Sequence, residues 1–105
     1  MELSISIRSS DPNVVTEIRR AKIAEGITIR RRLVLREMEN APIDFILYIG
    51  EHVVLPVAAS LIARMLYDKL KGKKDNELTI QNQPVEINVE KIEQLIFISL
   101  KEKEE

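Results

Sequence analysis

The sequence predicts a small α+β domain, and three observations lead to this prediction. Short runs in which apolar and polar residues alternate indicate β-strands. Longer runs with apolar residues three and four positions apart indicate helices. One apolar stretch, residues 43–70, is long enough to form the centre of the core. The predicted order is β-α-β-α-α-β-β-α, with a four-stranded mixed sheet packed by helices and a central apolar helix pair broken near Pro56.

Length and composition fit one globular domain. The chain has 105 residues, of which 45% are hydrophobic and 31% are charged, as in folded and not in disordered proteins. We expect a single domain over residues 1–100 and a charged, frayed tail over residues 101–105. The net charge of −1 gives no global attraction to nucleic acid or anionic lipid. The absence of cysteine excludes disulfides and thiolate zinc sites.

The first part of the chain predicts a strand, a helix and a second strand. Alternation over residues 3–7 indicates a strand with one buried face. Residues 12–24 predict a helix, with Asp11 as its N-cap and Gly26 as its stop. Residues 27–36 alternate again and predict the second strand.

Arg31 interrupts the pattern of the second predicted strand, because it falls on the apolar face. A bulge near Arg31, a strand at the edge of the sheet, or an arginine whose head group reaches solvent would each explain this position. Periodicity alone does not choose among the three.

The central apolar stretch predicts two helices, over residues 43–54 and 56–70, since its length exceeds that of a typical buried strand. Gly50, Glu51 and His52 interrupt it, and Pro56 cannot donate a hydrogen bond inside a helix. We therefore expect two helices or one helix bent near Pro56.

The last part of the chain predicts a hairpin and a final helix. Strands at residues 78–80 and 85–87 flank a polar turn over residues 81–84. Asn88 is suited to be the N-cap of the last helix, in which apolar residues recur with helical spacing up to Leu100.

The sequence argues against an enzyme. His52 is the only histidine, and with Glu51 it gives no metal-binding spacing, so we predict a polar break between apolar segments. Ser60 lies in an apolar helical segment without the glycines of a nucleophile elbow. The three glycines are scattered and predict no phosphate-binding loop. We predict no catalytic residue, no metal ligand and no cofactor.

A basic region defines one possible binding surface. Arg30, Arg32 and Arg36 share the polar face of the second predicted strand and are candidate anion-binding residues. Single-strand binders usually add aromatic platforms, and the aromatic residues here lie in apolar segments. A charged, solvated sheet face or an edge strand protected by charge explains the arginines better. Nucleic-acid binding is therefore the third hypothesis for the function.

The central stretch leads to the two other hypotheses. Residues 45–63 are nearly long enough to span a bilayer, although Glu51, His52 and Pro56 would then lie near its middle. Apolar residues on nearly every side of the predicted helices favour instead a soluble core with surface left over for self-association. The candidate interface residues are Phe45, Ile49, Val57 and Leu61.

The arrangement as a whole resembles the effector-associated constant component family, small adaptor-like domains of prokaryotic conflict systems. The resemblance lies in the opening strand ELSISI, the helix after Ser10-Asp11-Pro12, the segment EMENAP, the small-residue helix LPVAASL, the hairpin, and the entry INVE to the last helix. It implies a non-enzymatic connector to effector proteins and carries no site residues across.

The sequence thus predicts a cytoplasmic, non-enzymatic protein-interaction or adaptor domain that forms a homo-oligomer or binds another protein. The N-terminal residues lack the basic start and apolar segment of a signal peptide. A membrane-anchored protein is the second hypothesis, and a nucleic-acid-binding module is the third.

Overall fold

The computed structural model describes residues 1–32 and 41–104 and shows an α+β fold. The elements in order are β1 (Glu2–Arg8), α1 (Pro12–Arg20), β2 (Ile27–Arg31), β3 (Ile43–Ile49), α2 (Leu55–Leu70), β4 (Glu77–Ile80), β5 (Gln83–Val85) and α3 (Val89–Glu104). The order is therefore β-α-β-β-α-β-β-α. The α+β class is confirmed, whereas the detail of the sheet differs from the prediction.

The sheet has five strands in the order β2-β3-β1-β4-β5, and every pair of neighbours is antiparallel. The predicted four-stranded mixed sheet is wrong because residues 43–49 form strand β3, whereas we predicted a helix over residues 43–54. Pro42 and Gly50 bound this run, and β-branched and aromatic residues fill it. Those features favour a strand over a helix of the same apolar content.

One face of the sheet carries the core. Leu3, Ile5 and Ile7 of β1 are buried there, next to Phe45 and Leu47 of β3. Buried residues of all three helices complete the same cluster: Val14 and Ile18 of α1; Ala58, Ala59, Ile62, Ala63, Leu66 and Leu70 of α2; and Ile92, Ile96 and Leu100 of α3. The opposite face, which we call the open face, carries the alternate residues of the strands, as antiparallel sheets commonly do.

Helix α2 begins where the prediction placed a break. Pro56 lies in the first turn of α2, where its missing N–H removes no hydrogen bond. The helix therefore starts next to this proline and does not bend there. Asn76 closes the other end, since its buried Nδ2 donates to the carbonyl oxygen of Leu70 at 3.0 Å.

The ends of three further elements differ from the predictions. Helix α1 ends at Arg20 and not at residue 24, and the Ala21 N–H donates to the Ile18 carbonyl there. Strand β5 contains Pro84, so the turn before it comprises only Gln81 and Asn82. Helix α3 includes residues 101–104, which we predicted to form a frayed tail.

The two predicted N-caps are confirmed. Asp11 accepts a hydrogen bond from the Asn13 N–H at 2.9 Å, at the start of α1. Asn88 accepts from the N–H groups of Glu90 and Lys91 at 3.0 and 3.1 Å, at the start of α3. Each side chain satisfies a donor that has no partner inside the helix.

Candidate interaction site

A shallow cleft of about 540 Å³ lies at the end of the molecule where β3 leads into α2. Its walls come from the connection over residues 50–54, the first turn of α2, the last part of α3 and Met1. We call it the α2 cleft.

Two glycines fix the connection that forms one wall of the α2 cleft. The Gly50 N–H donates to the Gly26 carbonyl oxygen at 2.8 Å, and the Val53 N–H donates to the Gly50 carbonyl oxygen at 3.1 Å. Gly26 has a φ of +87°, and a Cβ there would lie 2.7 Å from Cγ2 of Val53. The backbone of the turn that precedes β2 therefore packs directly against this connection, because Gly26 has no side chain.

Gly26 thus has a role different from the predicted one. It does not end α1, which stops at Arg20. The Ile27 N–H donates to the Ala24 carbonyl oxygen at 3.2 Å, which closes a four-residue turn with Gly26 in its third position. A positive φ at that position is typical of a type II turn.

The first turn of α2 presents apolar side chains at the α2 cleft. Val54 is the N-cap residue and has no side-chain cap hydrogen bond; its exposed fraction is 62%. Val57, in the first turn of α2, is 53% exposed. Met1 is also exposed, and Phe97 of α3 is half-buried in the wall. The cleft therefore combines an apolar centre with exposed apolar neighbours.

Charged residues surround this apolar centre. Glu51 and His52 lie exposed in the connection, and Lys101 and Glu104 of α3 line the opposite wall. An apolar centre with a polar, mixed-charge rim is the usual composition of a protein-binding surface.

The structure separates the four predicted interface residues. Phe45 and Ile49 are buried, because both lie on the core face of β3, and Ile49 also lines the α2 cleft. Val57 is exposed and Leu61 is half-buried on α2. Sequence reasoning missed Met1, Val54 and Phe97, which a helical periodicity in α2 alone does not bring together.

The predicted anion-binding residues are also placed differently. Arg30 and Arg32 are exposed, whereas Arg36 lies outside the described residues. Arg31 is half-buried on the helix side of β2, which is an edge strand of the sheet. β2 pairs with β3 in regular register up to Arg31, so the structure shows an edge strand and no bulge at this residue.

Tyr48 is a residue that the sequence analysis assigned to an apolar segment. In the structure it lies exposed on the open face, with the Arg30 guanidinium 5.9 Å from the centroid of its ring. The alternation of β3 could have predicted this exposure. Tyr48 and Asp44 lie on one face of the strand, and the buried Phe45 and Leu47 lie on the other.

The part of the chain that the structure describes contains no group of three or more histidine, aspartate or glutamate side chains arranged to hold a metal ion. Within the same residues, no helix is long and apolar enough to cross a membrane. Residues 45–63, considered above as a span, comprise most of β3, a turn and the first half of α2.

Comparison with known proteins gives no relative. No family model, no curated protein and no solved structure matches the chain.

Proposed function

We propose that this chain is a non-enzymatic protein-interaction domain that self-associates through the α2 cleft. The observation that supports this proposal most directly is that two exposed apolar residues, Met1 and Val54, line the α2 cleft, and that exposed Val57 follows Val54 by three residues in the first turn of α2. The predicted resemblance to adaptor-like domains supports the same class of function, and the expected cytoplasmic location belongs to the same proposal.

Burial of these side chains provides the driving force. Apolar surface contributes about 25 cal/mol for each Å² removed from water. Val54 and Val57 are more than half exposed, and both lie at the rigid start of a helix, so little conformational entropy opposes their burial. Contiguous apolar surface with a polar rim is characteristic of interfaces.

The rim charges favour a second copy as the occupant. A two-fold axis brings the same patch together from both subunits. Because the rim carries Glu51 and Glu104 as well as Lys101, a two-fold arrangement can place charges of opposite sign opposite each other. The net charge of −1 adds no significant repulsion between copies.

Light scattering after size-exclusion chromatography, over a concentration series, tests this proposal. We expect a discrete dimer whose fraction rises with concentration. The variant Val54→Asp places a carboxylate in the α2 cleft and is expected to give a monomer. The matched control is Ile98→Asp on α3, because Ile98 is 54% exposed but does not line the cleft.

A monomer at all concentrations contradicts self-association. Equal loss of the dimer in Ile98→Asp places the interface elsewhere. Circular dichroism of each variant shows whether the fold is retained, so that loss of the dimer is not confused with unfolding.

A further inference from the structure

The two edges of the sheet differ in how their backbone is protected. Strand β5 is only three residues long, and Ile80 and Gln83 form the pair that closes the hairpin. Since hydrogen-bonding direction alternates along a strand, Pro84 is the residue whose backbone faces outward. Proline has no N–H, so this edge offers no donor at that position.

Strand β2 forms the other edge and has no such protection. The Gly50 N–H donates to the Gly26 carbonyl oxygen, and the Arg32 N–H donates to the Asp44 carbonyl oxygen, both at 2.8 Å. These bonds fix the alternation, so Thr28 and Arg30 direct their backbone groups at β3, while those of Ile27 and Ile29 face outward.

The outward groups of these two residues differ in one respect. The Ile27 N–H already donates a hydrogen bond to the Ala24 carbonyl oxygen. No residue in the described part of the chain pairs with the outward N–H and carbonyl of Ile29. β2 therefore presents at Ile29 the donor and acceptor that an added strand requires.

A groove of about 470 Å³ runs beside this edge. Residues 21–25 form one wall, and Ile27, Thr28 and Ile29 of β2 form the other. The two walls meet at the turn closed by Ala24 and Ile27.

Positive charge lies beside the groove. Arg30 and Arg32 are exposed at the end of β2, and Lys22 lines the facing wall. Glu25 is the acidic residue of the lining. A docked strand therefore gains electrostatic attraction if it carries carboxylates.

From this combination we infer that β2 is a docking edge for an extended acidic segment of another protein, which adds to the sheet as a sixth strand next to β2. Main-chain hydrogen bonds to Ile29 supply affinity, and the exposed Arg30 and Arg32 select acidic side chains. This surface shares no lining residue with the α2 cleft, so it is independent of the proposed self-association.

Two other occupants fit the observations less well. Pairing of β2 with β2 of a second copy would bring four arginines into one two-stranded ribbon, where like charges repel. A single-stranded nucleic acid requires aromatic platforms, and Tyr48 lies on the open face beneath Arg30 and not in the groove.

The test uses a fluorescein-labelled seven-residue peptide of alternating valine and glutamate, with binding measured by fluorescence anisotropy. A peptide of the same sequence whose central backbone nitrogens are methylated keeps the charge but loses the N–H groups. We expect the unmethylated peptide to bind at least about tenfold more tightly, a difference of about 1.4 kcal/mol. We also expect its binding to slow hydrogen exchange at the Ile29 amide.

The variant Arg30→Glu/Arg32→Glu tests the charge selection and is expected to weaken binding about tenfold or more. Arg64→Glu, an exposed site on α2, is the matched control and leaves binding unchanged. Equal binding of the methylated peptide overturns strand addition. Tighter, steeply salt-dependent binding of an oligothymidine probe instead assigns the arginines to nucleic acid. Unchanged exchange at Ile29 with a bound peptide places the peptide elsewhere.

Discussion

Two glycines with the same backbone conformation have different surroundings, and this contrast isolates a close contact. Gly26 and Gly72 have φ values of +87° and +89°. A Cβ at Gly72 meets no atom within 4 Å, whereas a Cβ at Gly26 would lie 2.7 Å from Cγ2 of Val53. At both positions the positive φ disfavours a residue with a side chain. Only at Gly26 would the added Cβ also clash with a neighbouring atom.

We therefore predict that Gly72→Ala lowers the free energy of unfolding by about 1–2 kcal/mol through its left-handed conformation. Gly26→Ala adds a steric cost of about 1–3 kcal/mol. The effect of alanine on the unfolded chain is common to both variants and cancels in the comparison. Urea unfolding measures both values, and equal values would contradict the close approach of Gly26 to Val53.

Gln81 replaces a missing backbone group with its side chain. Both turn residues of the β4–β5 hairpin, Gln81 and Asn82, have positive φ values, of 49° and 65°. The Gln81 N–H still donates to the Ser4 carbonyl oxygen at 2.9 Å. The Ser4 N–H, which would meet a carbonyl if β4 continued, donates instead to Oε1 of Gln81 at 2.7 Å.

Loss of this side chain is expected to leave the Ser4 N–H without its partner. We predict that Gln81→Ala lowers stability by about 1 kcal/mol and accelerates hydrogen exchange at the Ser4 amide. Gln83→Ala, two residues further along, is the control because the Gln83 side chain is exposed and makes no such bond. If hydrogen exchange at the Ser4 amide is unchanged in Gln81→Ala, the Gln81 side chain does not take the place of the missing backbone acceptor.

Asp11 gives a stability contribution that depends on pH. A hydrogen bond from the Lys73 side chain, with a second from the Asn13 N–H, lowers the pKa of the Asp11 carboxyl. Because the folded pKa lies below the unfolded value of about 3.9, the stabilisation is present above that pH. It is lost as the pH falls through the lowered folded pKa.

Lys73→Met is expected to return the Asp11 pKa toward its ordinary value, which NMR titration of the carboxyl carbon measures. Lys74→Met is the control, since Lys74 is an exposed neighbour with no ion pair among the described residues. A similar pKa in both variants would show that the ion pair does not set the Asp11 titration.

At the scale of elements, the sequence predicted best the features whose cause lies in neighbouring residues. The alternation of β1 and the capping residues Asp11 and Asn88 act through neighbouring backbone, so a short window of sequence contains their cause. Pro56 is similarly local, although its position allowed either a bend or a helix start. The structure shows the start.

Strand β3 was predicted as a helix because it is apolar on both sides. Its core-facing residues Phe45, Leu47 and Ile49 alternate with half-buried Ile46 and exposed Tyr48 on the open face. Since two apolar residues face outward, the alternation is hidden from a hydrophobicity pattern. Its position between β1 and β2 supplies hydrogen bonds along both sides, a tertiary effect that overrides local preference.

The asymmetry of the sheet edges gives a prediction for β5. Pro84→Thr supplies an outward N–H on a previously blocked edge and keeps a residue suited to a strand. We expect the variant to retain the fold and to self-associate or aggregate more than the parent chain. Sedimentation velocity measures this change. The control is Pro12→Thr, in the first turn of α1, which leaves the sheet edges untouched.

At the scale of the whole molecule, the sequence predicted one part of each candidate site. It identified Ile49, which lines the α2 cleft, and Arg30 and Arg32 beside the β2 groove. Neither site was predicted in full, because each is assembled from segments that are distant in sequence. Met1 and Phe97 meet at the α2 cleft only through the fold, and residues 21–25 were expected to lie mainly in a helix.

The central place of β1 has a consequence for the way the chain folds during synthesis. β1 precedes the other four strands of the sheet in sequence, yet it lies between β3 and β4, and its Ser6 pairs with Thr79. The sheet cannot close until most of the chain has left the ribosome. Contacts of such wide sequence separation slow folding. The edge of β1 that faces β4 therefore stays unpaired until β4 has been made, and an unpaired strand edge exposes the nascent chain to aggregation.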